Sequence, residues 1–244
     1  MTALPTRRLE DWRYSDIAAV ERAWPVAPEA IAVAAGETAA RMIVQDAALG
    51  SATIRHFTVN IEAGAALAVH IINSGGAYGR IALDVALQAG ARFDLGGIIV
   101  AQGEQVLEIV TTVRHLGPGA TSRQVVRCVA GGAATATYLG KVAVARAGQQ
   151  TDAAQSFKAL LLDRGATANA KPELEIFADD VKCAHGATVG ELDKTALFYL
   201  ESRGIPPVQA RALLTRAFLS DALASIADEG EREAAEARVT ALLA

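Results

Sequence analysis

From about Phe57 to Leu192 apolar residues come in short runs, many alternating with polar positions, and glycine turns separate one run from the next. FTVNI, ALAVHII, RIALDVAL, FDLGGIIVA, QVLEIVTTV, RQVVRCV, TYLGKVAVA, FKALLL and LEIFA are the clearest, and their length and spacing predict strands rather than helices. Turn glycines recur at Gly64, Gly90, Gly119 and Gly148, at nearly even intervals. Such a loose period predicts stacked coils, as in a parallel β-helix, where inward residues pile on those of neighbouring coils and turn glycines recur without strict repetition. An antiparallel sandwich also carries frequent turns between short strands, and it stays open on periodicity alone.

Past Leu192 the pattern changes. LDKTALFYLESRG predicts a helix with Asp193 as its N-cap, Arg203 near the negative end of its dipole and Gly204 as its stop. IPPVQARALLTRAFLSDALASI opens with prolines, tolerated at a helix start, and spaces Val208, Leu213, Leu214, Phe218 and Ile226 into a broad apolar stripe. EREAAEARVTALLA continues as a third helical segment after Asp228, Glu229 and Gly230. Helices of this kind must dock, either on the coil end or on another protein. Ahead of the strands, Trp12 and Tyr14 are expected to anchor a short element, and Pro25 and Pro28 mark a loop. The chain is thus expected to divide into an N-terminal region at 1–56, a β-helix core at 57–192 and a helical region at 193–244.

A chain of 244 residues buries a substantial core without disulfide or metal staples. The apolar fraction, 52%, is weighted towards alanine and valine with only 5% aromatic residues, which predicts a thin, closely spaced core. A net charge of −4 supplies no basic field for phosphates, so nucleic acid is not an expected partner. A membrane is not expected either, since no apolar run reaches the roughly 18 to 20 residues of a span. The opening MTALPTRRLEDWRY lacks a signal-peptide core, and two distant cysteines, Cys128 and Cys183, fit a reducing, cytoplasmic setting.

Several chemistries fail on spacing. Gly140-Lys141 is not a phosphate loop, because Thr135 stands where the leading glycine belongs and Val142 where the magnesium-binding hydroxyl belongs. No serine sits in a G-x-S-x-G elbow, and histidines at 56, 70, 115 and 185 form no evident triad. Asp179 and Asp180 are adjacent, so on a strand they would point to opposite faces, and a solvated turn describes them better than an acid pair. DDVKCAHGATVG remains. If it is extended, Cys183 and His185 share a face and can approach one metal together. Two ligands hold iron or a cluster weakly, so a functional site there needs further ligands from a partner chain. The alternative is a small buried cysteine beside a hydrogen-bonded turn histidine.

The stretch KPELEIFADDVKCAHGATVGELDKTALFYLESRGIPPVQARALL, with QSFKALLLDRGATANAKPELEI before it, resembles the C-terminal core of the SufB/SufD family, scaffold subunits of the Suf iron-sulfur cluster assembly machinery. The opening LPTRRLEDWRYSDI is similar to the start of SufD members, and CAHGATVG has the SufD form. SufB members carry a cluster-building cysteine before the corresponding histidine, whereas LEIFADD holds Glu175, Ile176 and Phe177 there. The resemblance implies a right-handed parallel β-helix with helical ends and a non-enzymatic scaffold function. It implies pairing with SufB through the β-helix, and capture of the ATPase SufC by the C-terminal helices, with Val208, Leu213, Leu214 and Phe218 as the expected contact surface. It also implies a transient iron-sulfur cluster at the SufB interface, held by His185 and Cys183 only together with SufB ligands, and no cofactor bound stably. A homodimer is expected when SufB is absent, because unpaired strand edges can meet their own copy. The rival reading is a self-associating structural β-helix with an inert cysteine and histidine.

Overall fold

In the computed structural model, which describes residues 3–243, two six-stranded parallel sheets wind around one core. Each coil supplies a strand to each sheet. The coils are β1 (Glu29–Val33) with β2 (Thr38–Gln45), β3 (Ala52–Ile61) with β4 (Ala66–Asn73), and β5 (Tyr78–Leu87) with β6 (Arg92–Ala101). They continue as β7 (Val106–His115) with β8 (Thr121–Ala130), β9 (Thr135–Val144) with β10 (Thr151–Leu161), and β11 (Thr167–Ile176) with β12 (Val181–Gly190). Odd-numbered strands form one sheet and even-numbered strands the other. The register runs Ala52 to Tyr78 to Val106 to Thr135 to Thr167, so successive coils lengthen along the stack. All these pairings are parallel, which makes the fold a β-helix and removes the antiparallel sandwich.

Alternation within each strand builds the core. Val59, Val85, Val113 and Val142 occupy one register position on four successive coils, all fully buried. Branched side chains suit such stacking because their restricted rotamers pack on a pleated surface at small entropic cost. The corners need left-handed backbone. Gly36, Gly64, Gly90 and Gly119 have φ between 65° and 73°, and each amide donates to a carbonyl of the next coil. The fifth place in this ladder belongs to Gln150, with φ 61° and its amide on the Asp180 carbonyl, and not to Gly148, to which the even glycine spacing pointed. The coil is longer there, since Thr121 pairs onward with Asp152 but backward with Arg92, and the turn moves with it.

The stacking starts at Glu29, inside the stretch read from sequence as an N-terminal region. Before it, a short 3-10 turn (Glu10–Trp12) and helix α1 (Ile17–Ala23), N-capped by Asp16, lie on the odd-numbered sheet. Trp12 and Val20 pack with Tyr78, while Tyr14 stays exposed. Under this segment the buried Arg80 guanidinium pairs with Glu108 and lies 3.9 Å from the Trp12 ring centroid.

Helices α2 (Lys194–Ser202), α3 (Pro207–Ser220) and α4 (Glu229–Leu242) follow the last coil. Asp193 caps α2 and Asp228 caps α4 through their carboxylates, and Gly204 ends the α2 turn with φ 86°. Leu219, Ala222, Leu223, Ile226 and Val239 pack on Ile72, Ile98, Val100 and Val129, which face outward from the even-numbered sheet. Gly96 admits this contact, since a Cβ there would collide with the Ala222 carbonyl oxygen. Arg127, reaching out of β8, closes it with hydrogen bonds of 2.8 and 2.6 Å to Asp221. The helices therefore cover the side of the β-helix and not the end formed by β11 and β12.

Candidate functional site

Within DDVKCAHGATVG, residues Val181–Gly190 are extended, as the functional reading required. Its strand, β12, pairs along its length with β10 and ends the even-numbered sheet. On β10 the inward residues Thr151, Ala153, Gln155, Phe157 and Ala159 are buried, and their partners on β12 are Val181, Cys183, His185, Ala187 and Val189. Cys183 and His185 therefore share the inward face of a coil on which, among the described residues, no further coil is stacked. Cys183 is half-buried, packed against a cluster formed by Val142, Val144, Ala153 and Ala178. Burial pushes its thiol above the ordinary value, a backbone hydrogen bond from Ala153 works against this, and the nearby Asp152 carboxylate adds to the rise. His185 is exposed. Among the described residues no three His, Cys, Asp or Glu side chains gather as a metal site.

The residue behind His185 in register is Gln155, and behind that is Gln124. Both are buried, inward-pointing amides. The Gln124 carboxamide oxygen accepts from Thr111 Oγ1 at 2.8 Å and Tyr138 Oη at 3.2 Å. Sequence reasoning missed both glutamines. A polar residue at an inward position of the alternating run DAAQSFKAL was the available signal. Cys128, by contrast, is wholly buried in the core, and its thiol is pushed far up by desolvation.

The residues read as one helical stripe divide between two environments. Leu214 and Phe218 are half-buried, Phe218 against the helix-sheet cluster. Val208 and Leu213 are exposed, at 79% and 37%. Phe198 and Tyr199 on α2, a helix with no buried residue, are exposed as well, at 72% and 56%. The unpartnered apolar surface thus takes in α2, which the stripe on the following helix did not include. Elsewhere Lys141, rejected as a phosphate-loop lysine, pairs with Glu173 and Glu175 on β11. Asp179 and Asp180 lie in an exposed bend.

The fold is a parallel β-solenoid whose last coil is uncovered at one end and bears a cysteine and a histidine on its inward face. The chain belongs to the SufB/SufD core family: residues 21–218 match the SUF system FeS cluster assembly, SufBD core domain. Protein ABCI7, chloroplastic, of Arabidopsis thaliana is 35% identical over 202 residues, covering 82% of this chain and 42% of that protein. The iron-sulfur cluster assembly protein SufD of Escherichia coli is 36% identical over 135 residues, 55% of this chain and 32% of that one. An iron-sulfur cluster assembly SufBD family protein of Synechocystis sp. is 40% identical over 129 residues, 53% of this chain and 28% of its own length. In each case the alignment spans less than half of the curated relative.

Proposed function

We propose that the chain is a non-catalytic scaffold subunit for de novo iron-sulfur cluster assembly, pairing with SufB through the open end of its β-helix and with the SufC ATPase through its C-terminal helices. The observation that carries this reading is the last coil. β12 presents unpaired backbone on one edge, and an edge of this kind is a template for another strand. On the same strand stand a half-buried thiol, which ligates iron as its thiolate, and an exposed imidazole, which ligates through a ring-nitrogen lone pair. Two groups on one strand leave coordination positions for a partner, so the cluster, as cargo, is held only while both chains meet. The ATPase contact is assigned to the exposed face formed by Phe198, Tyr199, Val208 and Leu213.

Replacing His185 by Ala in the assembled complex is expected to leave subunit assembly intact and to abolish most cluster formation, measured by iron content and visible absorbance. Cys183→Ala has the smaller effect, because its thiol also serves packing. Wild-type cluster yield from a correctly assembled His185→Ala complex would overturn the proposal and favour a purely architectural β-helix. The edge of β12 also supports self-pairing when SufB is absent, seen as a concentration-dependent dimer in sedimentation.

A further inference from the structure

We infer that Gln155 positions His185. Its carboxamide oxygen accepts a hydrogen bond from one imidazole N–H, so that the other ring nitrogen faces out of the coil end with its lone pair free. The inference rests on the cluster-handling role proposed for His185. It starts from Gln155 itself, which is 4% exposed and whose Oε1 and Nε2 both lack a hydrogen-bond partner. Buried polar groups in folded proteins are nearly always paired. The flanking inward positions on β10 are Ala153 and Phe157, which offer the amide no polar partner.

Two neighbours in register can complete it. On the inner side is Gln124, whose oxygen is occupied by Thr111 and Tyr138 and whose Nε2 is left without a partner. On the outer side is His185. A carboxamide oxygen has two lone pairs, so Gln155 Oε1 takes Gln124 Nε2–H from within and an imidazole N–H from the coil end. The row then stops, because the next residue inward from Gln124 is Leu95. Cys183 has no counterpart to this row, since Ala153 lies behind it.

The chemistry gives the row a purpose. A histidine that binds metal through one nitrogen is oriented by a fixed acceptor on the other N–H, which sets the tautomer and raises ligand basicity. While the coil end is open, water can serve His185. Once a partner strand covers it, Gln155 is the acceptor already in place.

The test uses the full chain, labelled with ¹⁵N-histidine, in its iron-free complex with unlabelled SufB and SufC, with His185→Ala identifying the resonance. A single neutral tautomer is expected at His185. Q155M, which keeps the shape and removes the acceptor, should give mixed tautomers and lower the cluster formed from Fe(II) and sulfide about tenfold. Q155E keeps an acceptor oxygen and should restore both; should it fold poorly, the tautomer in Q155M decides alone. An unchanged tautomer and wild-type cluster yield in Q155M, where His185→Ala abolishes the cluster, overturn the inference and leave the proposed function standing. Wild-type yield from His185→Ala overturns both.

Discussion

Gln124, Gln155 and His185 occupy one register position on three successive coils, yet the first two are sealed in the core and the third is exposed. The backbone geometry is the same at each. What differs is the presence of another coil on top. β8 buries all its lumen-facing positions and, on its outer face, Arg127 and Val129 beneath the helices, whereas β12 has no fully buried residue. In a stacked fold each coil is stabilised mainly by its neighbours. The middle coils therefore carry stability, and the last can carry reactive side chains at little cost to the rest.

Substitutions can break or sharpen this contrast. The largest loss is expected in the coil just below the end, where Phe157 stacks on Tyr138 with ring centroids 5.5 Å apart. Phe157→Ala should cost about 3–5 kcal/mol in urea unfolding, through lost burial and the cavity left behind. Removing one partner of the buried Arg80–Glu108 pair comes next. Glu108→Ala strands a guanidinium with almost no exposure, at about 3 kcal/mol or somewhat more, and should loosen the N-terminal segment that Ser15 ties to the same carboxylate.

A third test uses pH. Burial lowers the His115 pKa from 6.5 to about 4, and the ring is held between Ser122 and Thr151. Between those two values the unfolded chain binds a proton that the folded chain refuses. This contribution is therefore full above about pH 6.5 and is lost as pH falls towards 4, by up to about 3 kcal/mol. His115→Gln should flatten that part of the stability profile. The smallest effects belong to the open coil, where His185→Ala and Thr188→Ala should each stay within about 0.5 kcal/mol. A loss at His185 comparable to that at Phe157 would mean that the end coil is covered in solution, and the contrast would fail.

Much of the fold was legible in the chain. The nine apolar runs fall in nine consecutive strands, β3 to β11, because alternation is a local property that neighbouring side chains enforce. Asp193 and Asp228 announce helix starts for an equally local reason, their carboxylates closing on the nearby amides of Thr195 and Glu231. β1, β2 and β12 were harder to see. They lie at the two ends of the stack, where one side of the strand has no neighbour and selection for apolar inward residues is relaxed.

Sequence by itself thus determined the strands between the ends, the helices with their caps, and the shared face of Cys183 and His185 once that segment is extended. Tertiary structure alone decided what stands behind that face. Coil length changes from one turn of the stack to the next, so the alignment of Gln124 and Gln155 behind His185 depends on hydrogen-bonded register between distant strands and not on any fixed spacing. It also decided where the helices went. Their apolar stripe could have served the coil end or another protein, and the bare backbone at Gly96, with Arg127 beside it, gave one part of it a seat on the even-numbered sheet. Because α3 seats Leu219 on the sheet, Val208 and Leu213 at its other positions face solvent, and α2, which buries no residue, leaves Phe198 and Tyr199 exposed as well.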